Sequence, residues 1–169
     1  MTNVLPALSV LFAVLAAAVP WGLPANATFI LPLVVVMMVF CWRTIPGVVL
    51  PTYVAMLLGL LADIMSGGPI GFWALMTLIG ATAGSKLGSL GERRDLRTLW
   101  ITWALLAAAL GCFGWLLASI YVLRWIDWWP IAFGALGSIM LFPVVLYGLL
   151  WIRHGRLGVD RGPLYRSWT

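Results

Sequence analysis

The acidic residue Asp63 lies inside an apolar run, where an ionised carboxylate needs a compensating partner. At the centre of a membrane helix such a group costs about 2.5–3.5 kcal/mol on insertion scales. One interpretation is ion or proton handling. The other is structural: a helix that begins near Gly68-Pro69 presents the unbonded N–H groups of Ile70 and Gly71, which suit a carboxylate. We expect the structural role.

The other reactive side chains form no catalytic or metal-binding pattern. His154 is the single histidine and lies among arginines, and Cys41 and Cys112 lie inside apolar runs without a CxxC pair. Buried free cysteines usually serve as small packing residues. The sequence contains no HExxH, GxSxG or glycine-rich phosphate-binding motif and no paired carboxylates. We therefore expect no enzymatic activity, no cofactor and no metal.

Composition excludes several classes of protein. Of the 169 residues, 63% are hydrophobic and 9% are charged, whereas an average soluble domain has about 25% charged residues. The mean hydropathy is +1.07. These values exclude an ordinary soluble domain, a disordered chain and a nucleic-acid-binding module. The net charge of +5 comes from short cationic clusters between apolar runs, which indicates anionic lipid headgroups as the partner.

Six apolar runs predict an all-α polytopic membrane protein, a bundle of six transmembrane helices in one domain over residues 1–152. A basic cytoplasmic tail is predicted over residues 153–169. The N-terminal run lacks the basic segment of a signal peptide, so we interpret it as a retained first span. The predicted spans cover about residues 5–23, 28–42, 48–64, 69–87, 99–123 and 130–152.

Basic residues predict the orientation of the spans. Arg43 follows the second run and lies on the same predicted side as both larger clusters, so both termini are predicted to be cytoplasmic. Arg124 is the exception, and Asp127 stands close to it. The cations of the two clusters, which also suit lipid headgroups, are Lys86, Arg93, Arg94 and Arg97 after the fourth run and Arg153, Arg156, Arg161 and Arg166 in the tail.

Tryptophan is unusually frequent, with 11 residues. Tryptophan rings favour the headgroup level of a bilayer, so those at the ends of spans predict an aromatic belt. Trp115 lies in mid-span and is expected to pack between helices. The belt is predicted to contain Trp21, Trp42, Trp100, Trp103, Trp125, Trp128, Trp129 and Trp151.

The fourth run carries Gly80, Gly84 and Gly88 at four-residue spacing. In a helix this spacing places the glycines on one smooth stripe, which another helix backbone can approach closely. We expect the partner to be another helix of the same chain. A different membrane protein is the alternative.

The segment GLLADIMSGGPIGFWAL, Gly59–Leu75, resembles the signature of the rod shape-determining protein MreD family. That signature has a glycine, an aspartate a few residues later, a short polar turn, a Pro-hydrophobic-Gly step and a small-hydrophobic pair. Ile70 stands where leucine is commoner. The matching positions in this chain are Gly59, Asp63, Gly67, Pro69, Gly71 and Ala74-Leu75.

The resemblance implies a non-catalytic scaffold subunit of the bacterial cell-elongation machinery in the cytoplasmic (inner) membrane. It implies direct binding to MreC, and a wider complex with MreB filaments, RodA and its partner transpeptidase in side-wall peptidoglycan synthesis. It also implies a fold similar to the six-helix S components of energy-coupling-factor transporters. No catalytic residues are defined for the family, so none are carried over.

Two other classes of function compete with this interpretation. A small-molecule transporter subunit of the S-component type would need polar groups that converge on a pocket, and this chain offers Asp63 and a few Ser and Thr residues. A membrane enzyme of lipid metabolism would need convergent His, Asp or Glu side chains. Neither pattern is present in the sequence.

Overall fold

The computed structural model describes residues 4–19, 22, 29–48, 50–89 and 95–157, with side chains to residue 152. In these residues the chain is all-helical, with no strand, which confirms the predicted all-α class. The helices are α1 (Val4–Ala18), α2 (Ile30–Thr44), α3 (Thr52–Ser66), α4 (Phe72–Ser89), α5 (Leu96–Val122) and α6 (Trp129–Leu157). Each matches one apolar run, although the ends differ by several residues.

Proline and glycine explain where α3 begins and ends. The predicted span starts near residue 48, but α3 begins at Thr52 because Pro51 precedes it in an extended conformation, with φ −60° and ψ 141°. A residue before proline avoids helical geometry, which keeps Leu50 outside the helix as well. At the other end Gly67 adopts φ 64° and donates its N–H to the carbonyl oxygen of Asp63.

Helix α6 is longer than its predicted span. It continues past residue 152 to Leu157, so the backbone at Arg153 and Arg156 is helical and the predicted start of the tail falls inside α6. Pro143 lies within this helix and cannot donate to the carbonyl oxygen of Ile139, four residues earlier. The indole N–H of Trp100 on α5 donates to that oxygen instead, at 2.9 Å.

Helix α2 lies at the centre of the bundle and more than half of its residues are buried. It contacts α1, α4 and α6. Helix α3 packs against α1 and α4, while α5 packs mainly against α6. An aromatic cluster of Phe40, Trp103 and Phe142 joins α2, α5 and α6, with ring centroids 5.4–6.3 Å apart. The short helices α1 and α3 therefore lie on one side and the long helices α5 and α6 on the other.

Two tryptophans predicted for the aromatic belt are core residues instead. Trp42 is 1% exposed and Trp103 is fully buried. Trp42 lies inside because its indole N–H donates to the hydroxyl of Ser9 on α1, at 2.8 Å. Trp103 lies inside because its ring stacks on Phe142. The predicted interfacial position is wrong for both.

The other described tryptophans of the predicted belt are exposed: Trp100, Trp125, Trp128, Trp129 and Trp151. Trp21 lies outside the described residues. Trp115, expected between helices, instead stacks on Trp125 in the α5–α6 connection at 5.3 Å and donates its N–H to the carbonyl oxygen of Ile126.

In the described part of the chain two helices are long and apolar enough to cross a membrane, α5 and α6 over Leu96–Val122 and Trp129–Ile152. Only 28% and 22% of their most apolar windows are buried inside the protein. Apolar side chains therefore make up most of the outward surface of both helices.

Candidate functional site at the α3–α4 connection

The Asp63 carboxylate accepts three backbone hydrogen bonds from the start of α4. One oxygen accepts from Trp73 at 2.7 Å, and the other accepts from Gly71 at 2.9 Å and Ala74 at 3.2 Å. Asp63 itself is 1% exposed. This arrangement, the Asp63 junction, compensates a buried anion with the N–H groups and the dipole of a helix N-terminus.

The Asp63 junction differs in its donors from the sequence-based expectation. Gly71 is a donor as expected, but the other donors are Trp73 and Ala74 rather than Ile70. The reason is that α4 begins at Phe72, three residues after the predicted start at Pro69. The N–H of Phe72 donates to the carbonyl oxygen of Pro69, so the first turn of α4 has its donors paired.

Two glycines shape the turn that brings Asp63 to α4. Gly67 ends α3 at φ 64° and Gly71 precedes α4 at φ 97°. L-residues with a side chain rarely adopt such angles, so both positions favour glycine even though each has open space around it. Pro69 lies between them and needs no hydrogen-bond acceptor.

Gly59 allows α3 and α4 to touch through their backbones. A β-carbon placed at Gly59 would lie 2.6 Å from the Cα of Ala74 and 2.8 Å from the carbonyl oxygen of Trp73. The hydroxyl of Thr77 on α4 donates to the carbonyl oxygens of Trp73 and Ala74, at 2.9 Å each, and is buried in this contact. The motif residues thus form one structural unit.

The glycine stripe of α4 packs against α2 of the same chain. Added β-carbons would lie 2.8 Å from Val36 at Gly80, and 2.7 Å from the carbonyl oxygens of Phe40 at Gly84 and Arg43 at Gly88. These three contacts are all with α2 of the same chain.

Arg43 has a structural role that the sequence analysis missed. Its guanidinium donates to the carbonyl oxygen of Leu50, to the carbonyl oxygen of Ala81 at 3.3 Å, and to the hydroxyl of Thr52 at 3.2 Å. This Arg43 junction connects the end of α2 to the start of α3 and to α4. The signal for it was weak: Arg43 ends an apolar run just before a segment that carries two prolines.

Two of the other predicted cations have side chains that the structure describes, and both are exposed. Arg97 is exposed in the first turn of α5, and Lys86 is exposed in the last turn of α4. Arg93 and Arg94 lie outside the described residues. For Arg153 and Arg156 the structure describes the backbone, which is helical and forms part of α6.

The described surroundings of the Asp63 junction are a fully bonded carboxylate and a small apolar cleft. Both carboxylate oxygens are occupied by backbone donors. The described residues contain no group of three His, Cys, Asp or Glu side chains that could hold a metal ion. A cleft among α2, α4, α5 and α6 has a volume of about 10 Å³ and is lined by apolar residues, including Leu33, Trp73, Leu110 and Ile131.

Comparison of the chain with known family models, with curated proteins and with solved structures gives no match. The family resemblance therefore depends on the Gly59–Leu75 residues.

Proposed function

We propose that the protein is a multi-pass protein of the bacterial inner membrane, a six-span bundle with both termini in the cytoplasm. The apolar outward surfaces of α5 and α6 support membrane placement, because water would disfavour so much exposed apolar area. The exposed tryptophans near the ends of these helices suit the headgroup level of a bilayer.

Cysteine labelling tests this topology. Ser66→Cys and Asp127→Cys, in a background whose native cysteines do not react, should react with an impermeant thiol reagent in intact spheroplasts. Ser89→Cys and Ser167→Cys should react after lysis alone. Labelling of Ser89→Cys from outside would contradict the six-span topology.

We further propose that the protein is a non-catalytic scaffold of the cell-elongation complex that binds MreC and supports side-wall peptidoglycan synthesis with MreB, RodA and its partner transpeptidase. The observation that carries this proposal is the Asp63 junction. Four matched residues of the family signature have structural roles in one connection: Gly59 in the close contact, Asp63 as acceptor, and Gly67 and Gly71 in the turn. This agrees with a family in which the motif builds a scaffold rather than an active site.

Two experiments together test the scaffold. Tagged protein purified from its host in mild detergent should carry MreC with it, and depletion of the protein should convert rods to spheres. The proposal fails if depletion leaves rod shape unchanged and MreC still assembles normally.

The S-component-like transporter fold and function stay a prediction. The cleft among α2, α4, α5 and α6 is about the size of one water molecule, so it offers little support for a substrate pocket. Substrate-dependent stabilisation of the purified protein by a small molecule would favour this alternative over the scaffold.

A further inference from the structure

Helix α5 ends at a leucine whose backbone conformation suits glycine. Leu123 has φ 53° and ψ 30°, and no other non-glycine residue in the described part of the chain has a positive φ. Its N–H donates to the carbonyl oxygen of Ile120, and the N–H of Arg124 donates to that of Ser119. Glycine is the usual residue at this position of such a helix end, and α3 ends with Gly67 in the same left-handed conformation. The leucine side chain therefore carries a conformational cost that glycine would avoid.

The side chain of Leu123 gains little from the described chain. It is 91% exposed, so it makes almost no apolar contact with the rest of the protein. The apolar contact that often accompanies this type of helix end is also missing, because the two positions concerned hold Ser119 and Arg124. A strained residue without internal support indicates a contact made with another molecule.

The segment that follows Leu123 folds back along α5. The ring of Trp125 stacks on that of Trp115 with centroids 5.3 Å apart, and the indole N–H of Trp115 donates to the carbonyl oxygen of Ile126 at 2.9 Å. These two contacts hold the α5–α6 connection in place against α5. The hairpin tip, Tyr121–Arg124, therefore lies about 10 Å farther along α5 than Trp115.

In the proposed topology the hairpin tip lies outside the hydrocarbon core. Asp127 is exposed and directly follows Ile126, so a charged side chain lies near the level of Trp115. A charge is costly inside the core, which places the outer edge of the core near this level. From Trp115 about 30 Å of helix, the thickness of a typical core, leads back to Asp95 at the start of α5. The tip lies about 10 Å beyond the core, whereas a headgroup layer adds about 5–8 Å.

The hairpin tip carries side chains typical of protein–protein contacts. Tyr121 and Val122 are exposed beside Leu123 and form an apolar surface with it. Arg124 is exposed next to them. Tyrosine and arginine are enriched among the residues that dominate binding energy at interfaces. Arg124 is also the single cation on the predicted outer side, where cations are disfavoured, so an anion on a partner would explain its position.

We propose that the hairpin tip is a docking element for the extracytoplasmic part of a partner protein. The partner offers an apolar groove that takes Leu123, with an acidic group at its rim that pairs with Arg124. Neither water nor a charged headgroup layer gives a leucine the apolar surroundings that would offset its strain. The proposed scaffold function supplies MreC as this partner, so the inference rests on that function.

The first experiment compares full-length variants that are co-expressed with MreC and purified in mild detergent. Leu123→Gly removes the anchor and relaxes the backbone, so we expect an unchanged or higher melting temperature together with a roughly tenfold loss of recovered MreC. Arg124→Glu should also lower the recovery of MreC, because it reverses the pairing charge. Leu105→Ala, at another exposed leucine of α5, is the control and should retain MreC.

Photocrosslinking in cells identifies what covers the hairpin tip, and it decides the question even if Leu123→Gly folds poorly. With p-benzoylphenylalanine in place of Leu123 we expect an adduct with MreC, and with the same residue in place of Leu105 we expect none. An adduct of the tip with phospholipid alone would show that the bilayer covers it and would overturn the docking role.

The docking inference and the scaffold function fail in different ways. If the wild-type protein recovers no MreC, the scaffold function fails and the docking inference fails with it. If wild type and Leu123→Gly recover the same amount of MreC, the scaffold function stands and the docking inference is wrong. Equal losses from Leu123→Gly and Leu105→Ala would also contradict the inference, because the effect would not be specific to the hairpin tip.

Discussion

Each end of α3 is connected to neighbouring helices through a charged side chain, an anion at one end and a cation at the other. At its C-terminal end the Asp63 junction gives a buried anion to three backbone N–H donors of α4. At its N-terminal end the Arg43 junction gives a cation to two carbonyl oxygens and one hydroxyl. In both, backbone groups rather than an opposite charge supply most of the compensation. A charge placed at a helix end can thus fix how neighbouring helices pack.

The two junctions differ in the solvent exposure of their charged side chains. Asp63 is almost fully buried, whereas Arg43 is half-buried. An unpaired polar group costs more where water cannot reach it. Damage at the Asp63 junction should therefore cost more stability than damage at the Arg43 junction, and a comparison of Asp63→Leu with Arg43→Lys tests this order.

The largest effect is expected for Asp63→Leu. This change leaves the N–H groups of Gly71, Trp73 and Ala74 without an acceptor, at about 1–3 kcal/mol for each buried group. We expect loss of most folded protein, measured as the monodisperse fraction in size-exclusion chromatography in mild detergent. Under the proposed scaffold function, co-purification of MreC should fall with it.

Asp63→Asn is the matched variant and should lie between wild type and Asp63→Leu. Its single oxygen can replace the carboxylate oxygen that accepts from Gly71 and Ala74, but its NH₂ group cannot accept from Trp73. An ion-handling role predicts instead that Asn is as damaging as Leu to function while folding stays intact. That result would remove the structural interpretation.

The second effect concerns the contact between α4 and α2. Gly84→Ala places a methyl group 2.7 Å from the carbonyl oxygen of Phe40. Overpacking of this kind costs about 1–3 kcal/mol. The control is Gly148→Ala on α6, which meets nothing within 4 Å and should gain roughly 0.5–1 kcal/mol from the higher helix propensity of alanine.

Titration with a denaturing detergent, followed by circular dichroism, should give opposite signs for these two variants. Equal effects would mean that the close α2–α4 contact does not determine stability. The bulkier Gly84→Leu should prevent folding, whereas Ser89→Ala, at an exposed position on the same helix, should have little effect.

Within the described residues, the order and type of the helices could be predicted from the sequence because Pro, Gly or charged residues separate the apolar runs. The ends could not, since they depend on local backbone conformation at Pro51, Gly67 and Gly71. Hydropathy also does not show whether an aromatic ring near a helix end lies in the protein core or on the outer surface. That is why the sequence predicts Trp42 and Trp103 in the aromatic belt, although both lie in the core.

Local sequence predicts one part of the candidate site, the bond between Asp63 and Gly71, and misses the rest. A buried aspartate before a turn and a proline indicates a helix N-terminus as its partner, and Gly71 follows from that argument. The Arg43 junction needs the position of Ala81, 38 residues away, which local pattern does not provide. A contact of this kind depends on how the helices pack against one another.

The third effect tests the Arg43 junction. Arg43→Lys keeps the charge, but an ammonium group lacks the planar fork that reaches Leu50, Thr52 and Ala81 together. We expect a loss of about 1–2 kcal/mol in the free energy of unfolding, smaller than for Asp63→Leu. Lys86→Met, at an exposed position, should change little. An unaffected Arg43→Lys variant would indicate that charge alone suffices.

The smallest effect is expected at an uncharged bond on the outer surface, between the indole N–H of Trp100 and the carbonyl oxygen of Ile139. Trp100→Phe should cost about 0.5–1.5 kcal/mol, because Pro143 cannot supply the missing donor. In a Pro143→Ala background the new backbone N–H can bond Ile139, so the same Trp100→Phe change should cost less. Trp151→Phe, at another exposed tryptophan, controls for the general loss of an indole. Equal costs of Trp100→Phe in the two backgrounds would show that this bond does not compensate for the proline.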